Sequence, residues 1–147
     1  MSTEYWTWRH DGLTDPGGAE AAAVREHVIH FAHGQILTEV TRDDMQLVIK
    51  ATTSDGEVFT VAQTGFSVNR LSAVCGTRRY TLNRTRRLRR ERAIIDAAGN
   101  VVARTRPHGS TLEVFDHPQD MPIPDVDFVF LTWCCMEADN SGHIRRM

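Results

Sequence analysis

The chain has 147 residues, of which 41% are hydrophobic and 24% charged, and a formal net charge of −2. That length suits one domain with a single core, and the composition excludes a disordered or membrane-embedded chain. The start, MSTEYWTWRHDG, lacks the basic-then-apolar pattern of a secretory signal, and three cysteines cannot pair fully, so a reduced, cytoplasmic protein is expected.

Residues 5–10 alternate, with Trp6 and Trp8 on one face, and predict a short strand; Gly12, Asp15, Pro16, Gly17 and Gly18 then break it. Over residues 19–33 the alanines and the spacing of Val24, Val28, Phe31 and Ala32 predict a helix closed by Gly34, although Val28, Ile29 and Phe31 would also suit a strand. From Ile36 the pattern becomes strand and turn. Residues 36–41 and 46–52 alternate around Arg42, Asp43 and Asp44, and Ser54, Asp55 and Gly56 turn the chain into a third strand over 57–63. Shorter strands are expected at 71–75 and 80–83, around Gly76.

The clearest hairpin joins 92–95 to 101–106 through Asp96, Ala97, Ala98, Gly99 and Asn100, with Asp first and Gly fourth as a type I turn prefers. Pro107 and Gly109 separate it from a strand over 111–115 whose Leu112 and Val114 share a face. Pro118, Pro122 and Pro124 make 117–124 extended and unfit for a central strand.

The last hydrophobic stretch, residues 120–138, organises the rest. From Val126 to Met136 only Asp127 and Thr132 interrupt the apolar residues, which do not gather on one stripe, so a helix over 126–138, capped by Asp125, would need a protein shell all round it. The run is too short to cross a bilayer. We therefore expect a β-rich α+β fold: an antiparallel, barrel-like sheet around a buried C-terminal helix, with an additional N-terminal helix. Residues 1–138 would form the single domain and 139–147 a polar tail.

Charge is segregated along the chain. Residues 1–69 hold four basic and ten acidic side chains, 70–106 hold eleven and two, and 107–147 hold two and seven. The simplest use of this pattern is internal pairing of arginine-rich strands with acidic neighbours. The run Arg78, Arg79, Arg84, Arg86, Arg87, Arg89, Arg90 and Arg92 is also the best functional candidate, because exposed guanidinium groups take phosphate in bidentate fashion. Arg84, Arg86, Arg87, Arg89 and Arg90 are the candidate anion-binding residues, with an anionic lipid or a protein as partner. Few aromatics interleave with them, which disfavours nucleic acid.

His27, His30 and His33 recur every three residues without a CxxC or HExxH motif, so no metal is assigned to them. Cys75, Cys134 and Cys135 read as core residues, and Asp43, Asp44, Asp125 and Asp127 as turn and cap residues. No phosphate loop, paired-carboxylate motif or serine elbow is present, and no catalytic role or cofactor is implied. A non-catalytic binding or regulatory module is the leading expectation, and a small barrel carrier or enzyme with a pocket at its mouth is the alternative.

Three pieces in order carry a family resemblance: the arginine-rich strand YTLNRTRRLRRERAIID, the hairpin DAAGNVVARTRP and the proline-flanked end MPIPDVDFVFLTWCC. The stretch from Tyr80 to Ala138 resembles the tubby C-terminal-like superfamily, which includes the plant LURP-one-related proteins, the phospholipid scramblases and small bacterial relatives. The resemblance implies a closed twelve-stranded antiparallel barrel around a hydrophobic C-terminal helix. The sequence offers only about nine or ten strands by its turn signals, so a shortened or partly open barrel is expected.

Overall fold

The computed structural model describes residues 4–43, 46–86, 90–116 and 123–139. Twelve strands precede one helix: β1 Trp6–Arg9, β2 Gly12–Thr14, β3 Glu20–Arg25, β4 Val28–Phe31, β5 Gly34–Asp43, β6 Gln46–Thr53, β7 Val58–Gln63, β8 Leu71–Cys75, β9 Arg78–Arg84, β10 Arg92–Asp96, β11 Val101–His108, β12 Thr111–Asp116 and α1 Asp125–Asp139. Each strand pairs antiparallel with its neighbours in sequence, and β1 closes onto β12 through Trp6↔Val114 and Trp8↔Leu112, so the barrel is complete rather than shortened or partly open. Closure removes the unpaired edges that an open sheet would expose.

The helix predicted over 19–33 does not form. Those residues make the β3–β4 hairpin, in which Ala22 pairs with Phe31 and Val24 with Ile29. The two turn residues, Glu26 and His27, adopt φ of 50° and 72°, as a two-residue hairpin with a mirror-image turn requires. Thr38 secures the turn by donating its backbone N–H (2.8 Å) and its hydroxyl (2.9 Å) to the His27 carbonyl. Helix propensity is a weak local preference, and an isolated helix this short is marginal. The strand alternative instead gains ladders to both β2 and β5 and buries Ile29 completely.

Gly12, expected to break the chain, belongs to β2. A Cβ there would lie 2.7 Å from the Ala22 carbonyl oxygen, so the close approach of β2 to β3 needs glycine. Elsewhere the expected grammar holds. Leu47, Ile49 and Ala51 of β6, Phe59 and Val61 of β7, and Leu71, Ala73 and Cys75 of β8 alternate into the core. At the predicted 96–100 turn the Gly99 N–H reaches the Asp96 carbonyl (3.0 Å), and the Asp96 carboxylate accepts from the Ala98 and Asn100 N–H groups. β11 runs on through Pro107, which faces Leu112 of β12. The proline-rich stretch over 117–122 lies outside the described residues.

The helix fills the barrel. Phe130, Leu131, Thr132, Cys134 and Cys135 are fully buried, and Phe130 meets the Phe59 ring edge-on at 5.3 Å. Halfway along, the Trp8 indole donates to the Thr132 hydroxyl (2.7 Å), which itself donates to the Phe128 carbonyl (2.7 Å). The one polar residue in the middle of the plug is thereby satisfied at both ends of its hydrogen-bonding capacity. The first helical hydrogen bond runs from Phe128 N–H to the Pro124 carbonyl, so Asp125 sits in the first turn and is not its cap. The helix also extends to Asp139, which is buried rather than the first residue of a solvated tail.

Candidate functional site

The strand directions place the helix N-terminus at one end of the barrel and its C-terminus at the other. At the first end, Asp127 is fully buried and clasped by Arg78 through Nε (2.6 Å) and Nη2 (2.8 Å), while the Tyr80 hydroxyl donates to the same carboxylate. Glu57 adds a second, looser carboxylate 3.4 Å from Arg78. The bond to Asp127 is the main reason the Arg78 guanidinium is held even more firmly protonated than usual, whereas burial first and the Asp127 bond second push the Tyr80 phenol up. Asp127 was expected to be a turn or cap residue. The signal for its real role was its place inside a run that must be buried, since a buried carboxylate needs a cationic partner.

At the other end Asp139 accepts from Nε and Nη2 of Arg92, both at 2.8 Å, and from Nη2 of Arg84 at 3.1 Å. Arg92 is 0% exposed and also donates to the Leu82 carbonyl (2.8 Å). Arg42 reaches the Glu137 carbonyl (2.7 Å), and burial raises the Glu137 carboxyl above its ordinary range. The expected internal pairing of the arginine-rich segment is therefore realised with the helix, as well as between strands, where Arg106 of β11 meets its β12 partner Glu113 at 2.6 Å.

The candidate arginines divide accordingly. Arg84 is taken up by Asp139 and by the Asn69 side chain (2.8 Å). Arg90 is exposed but donates one N–H to the Asp139 carbonyl (3.0 Å), and Arg86 is exposed at the barrel end. Arg87 and Arg89 lie outside the described residues. The described residues Thr85, Arg86, Arg90 and Glu91 follow β9 beside the 64–70 loop, because the Arg84 N–H bonds the Asn69 carbonyl (2.8 Å) and the Thr85 N–H the Glu91 carbonyl (2.9 Å). The neighbouring loop presents Phe66, 89% exposed, together with exposed Arg70. Phe66 was not singled out in the sequence, although a lone aromatic between Gly65 and Ser67 is hard to place in a core.

The histidines do not converge. His27 occupies the β3–β4 turn at the C-terminal end of the helix, whereas His33, at the opposite end, lies 3.3 Å from Asp125, with both side chains about 70% exposed. Among the described residues no three His, Cys, Asp or Glu side chains could hold a metal ion. The three thiols are buried, and burial pushes Cys135 up to about 12 and Cys75 and Cys134 upward too, which keeps them in the weakly nucleophilic thiol form.

Two cavities open at the end where the helix begins. One, of about 500 Å³, lies among Trp6, Ala22, Phe31, His30, Phe128 and Val129; the other, of about 300 Å³, shares Phe31, His33 and Asp125 with it. Among the described residues no helix is long and apolar enough to cross a membrane. Comparison of the chain with protein-family models, with curated proteins and with solved structures found no match.

Proposed function

We propose that this barrel is a non-catalytic module that docks on anionic lipid surfaces through the end that carries the 64–70 loop, Arg86 and Arg90. The observation that carries this reading is Phe66, a large apolar side chain 89% exposed beside an arginine-rich loop. Basic residues near an anionic bilayer contribute about 1 kcal/mol each, and an aromatic side chain can bury itself at the headgroup boundary. Arg70, Arg86 and Arg90 supply exposed guanidinium groups there, and Arg87 and Arg89 belong to the same loop in sequence. Arg84 and Arg92 act instead as braces on the helix.

The twelve antiparallel strands around an apolar C-terminal helix are what the resemblance to the tubby C-terminal-like superfamily implies, and this supports membership as part of the proposal. Co-sedimentation with vesicles of phosphatidylcholine alone, and with added phosphatidylserine, tests the reading. Binding should require the anionic lipid, weaken as salt is raised, and fall several-fold both in Phe66→Ser and when Arg86, Arg87, Arg89 and Arg90 become Gln. Equally weak sedimentation of wild type and variants on both vesicles would refute it.

A further inference from the structure

The end of the barrel where the helix begins carries a second site with different chemistry. The cavity of about 500 Å³ falls within the size range of small-molecule pockets, and three aromatic rings, Trp6, Phe31 and Phe128, line it. Trp6 and Phe128 already meet each other with centroids 5.1 Å apart, so they form one corner of the wall rather than isolated rings. A small side chain keeps the space open: Ala22 of β3 pairs with Phe31 of β4, faces the same side, and lines the cavity where a larger residue would fill it.

The charges around this space are mostly negative. Among the described residues Glu20 and Asp125 line the first cavity and Asp55 the second, against the guanidinium of Arg25 and the imidazoles of His30 and His33. Glu57 also lines the second cavity, but its charge is shared with Arg78. Among the described residues Asp125 pairs with an exposed histidine, His33, at 3.3 Å, a pairing that an incoming cation can displace at little cost. Aromatic faces attract cations through their quadrupole, and carboxylates at the rim complete such a site.

We infer that this cavity binds a ring-bearing organic ammonium ion, with its ring against Trp6, Phe31 and Phe128 and its cationic group at Asp125. The inference is independent of lipid docking, since it uses the opposite end of the barrel.

Isothermal titration of the full chain with 2-naphthylmethylammonium, 2-naphthylmethanol and 2-naphthoate tests it. The ammonium ion should bind saturably and at least about fivefold more tightly than the alcohol, with the carboxylate weakest. Asp125→Asn, a change at an exposed position, should bring ammonium and alcohol within about twofold of each other while lowering the melting temperature by no more than about 3 °C, the loss of a first-turn carboxylate. Phe31→Leu, which keeps bulk but removes the ring, should weaken the ammonium ion about threefold. Failure of the ammonium ion to saturate, equal binding of the alcohol or the carboxylate, or identical affinity in wild type and both folded variants would each overturn the assignment.

Discussion

Where the helix begins, Asp127 is held by Arg78 and Tyr80; where it ends, Asp139 is held by Arg92 and Arg84. The chemistry is shared but the surroundings differ. A carboxylate in the first turn is favoured by the helix dipole, whereas one in the last turn opposes it, and the last turn of this helix carries no basic residue of its own. The barrel wall must supply the cations at the C-terminal end, and it does so with a guanidinium that is 0% exposed. At the N-terminal end Arg78 keeps 32% of its side chain in solvent, and cavities open around the first turn. One end is sealed by its ion pair, while the other leaves room beside it.

On this difference, Arg92→Met should be the most damaging single change, costing on the order of 3–5 kcal/mol in urea unfolding, because it leaves the buried Asp139 carboxylate to Arg84 alone and the Leu82 carbonyl without its guanidinium donor. Replacing both partners, Arg92→Met with Asp139→Leu, should recover part of that loss. Arg78→Met should cost less, about 2–3 kcal/mol, since Tyr80 still donates to Asp127. Equal costs at the two ends would remove the distinction between sealed and open.

Midway between them, Thr132→Val leaves the Trp8 indole N–H without its acceptor and should cost about 1–2 kcal/mol, a loss that belongs to neither end.

Raising the pH probes the plug itself. The Cys135 thiol has an ordinary value of 9.0 and is pushed to about 12 by burial. A group raised in the folded state contributes stability fully below pH 9.0 and loses it as the pH climbs toward about 12. Between pH 9 and 10 stability should fall by about 1 kcal/mol per buried thiol, and a Cys135→Ala variant should show a shallower decline. A flat profile would mean that solvent reaches the helix. Phe66→Ser should be the mildest change, within about 0.5 kcal/mol of wild type, because the ring is already in solvent.

Much of the barrel was legible. Alternation in 46–52 and 57–63, the Asp96 to Asn100 turn and the apolar run from Val126 are local patterns, and local backbone preferences suffice to read them. Residues 19–33 misled because alanine favours helix in isolation, while the decision between helix and hairpin rests on ladders to β2 and β5 that are invisible locally. The arginine run was visible as a run, but its division into braces and exposed groups was not. Arg78 meets Asp127 across 49 positions, and Arg92 meets Asp139 across 47.

What the sequence determined by itself was the shell-and-plug plan: strands with one apolar face, and a terminal helix apolar on nearly every side, have no other way to leave water. The tertiary structure alone decided which end closes, which arginines are consumed and where space remains. Those outcomes depend on charges and rings meeting across the barrel, and no local spacing encodes a distance between residues so far apart in the chain.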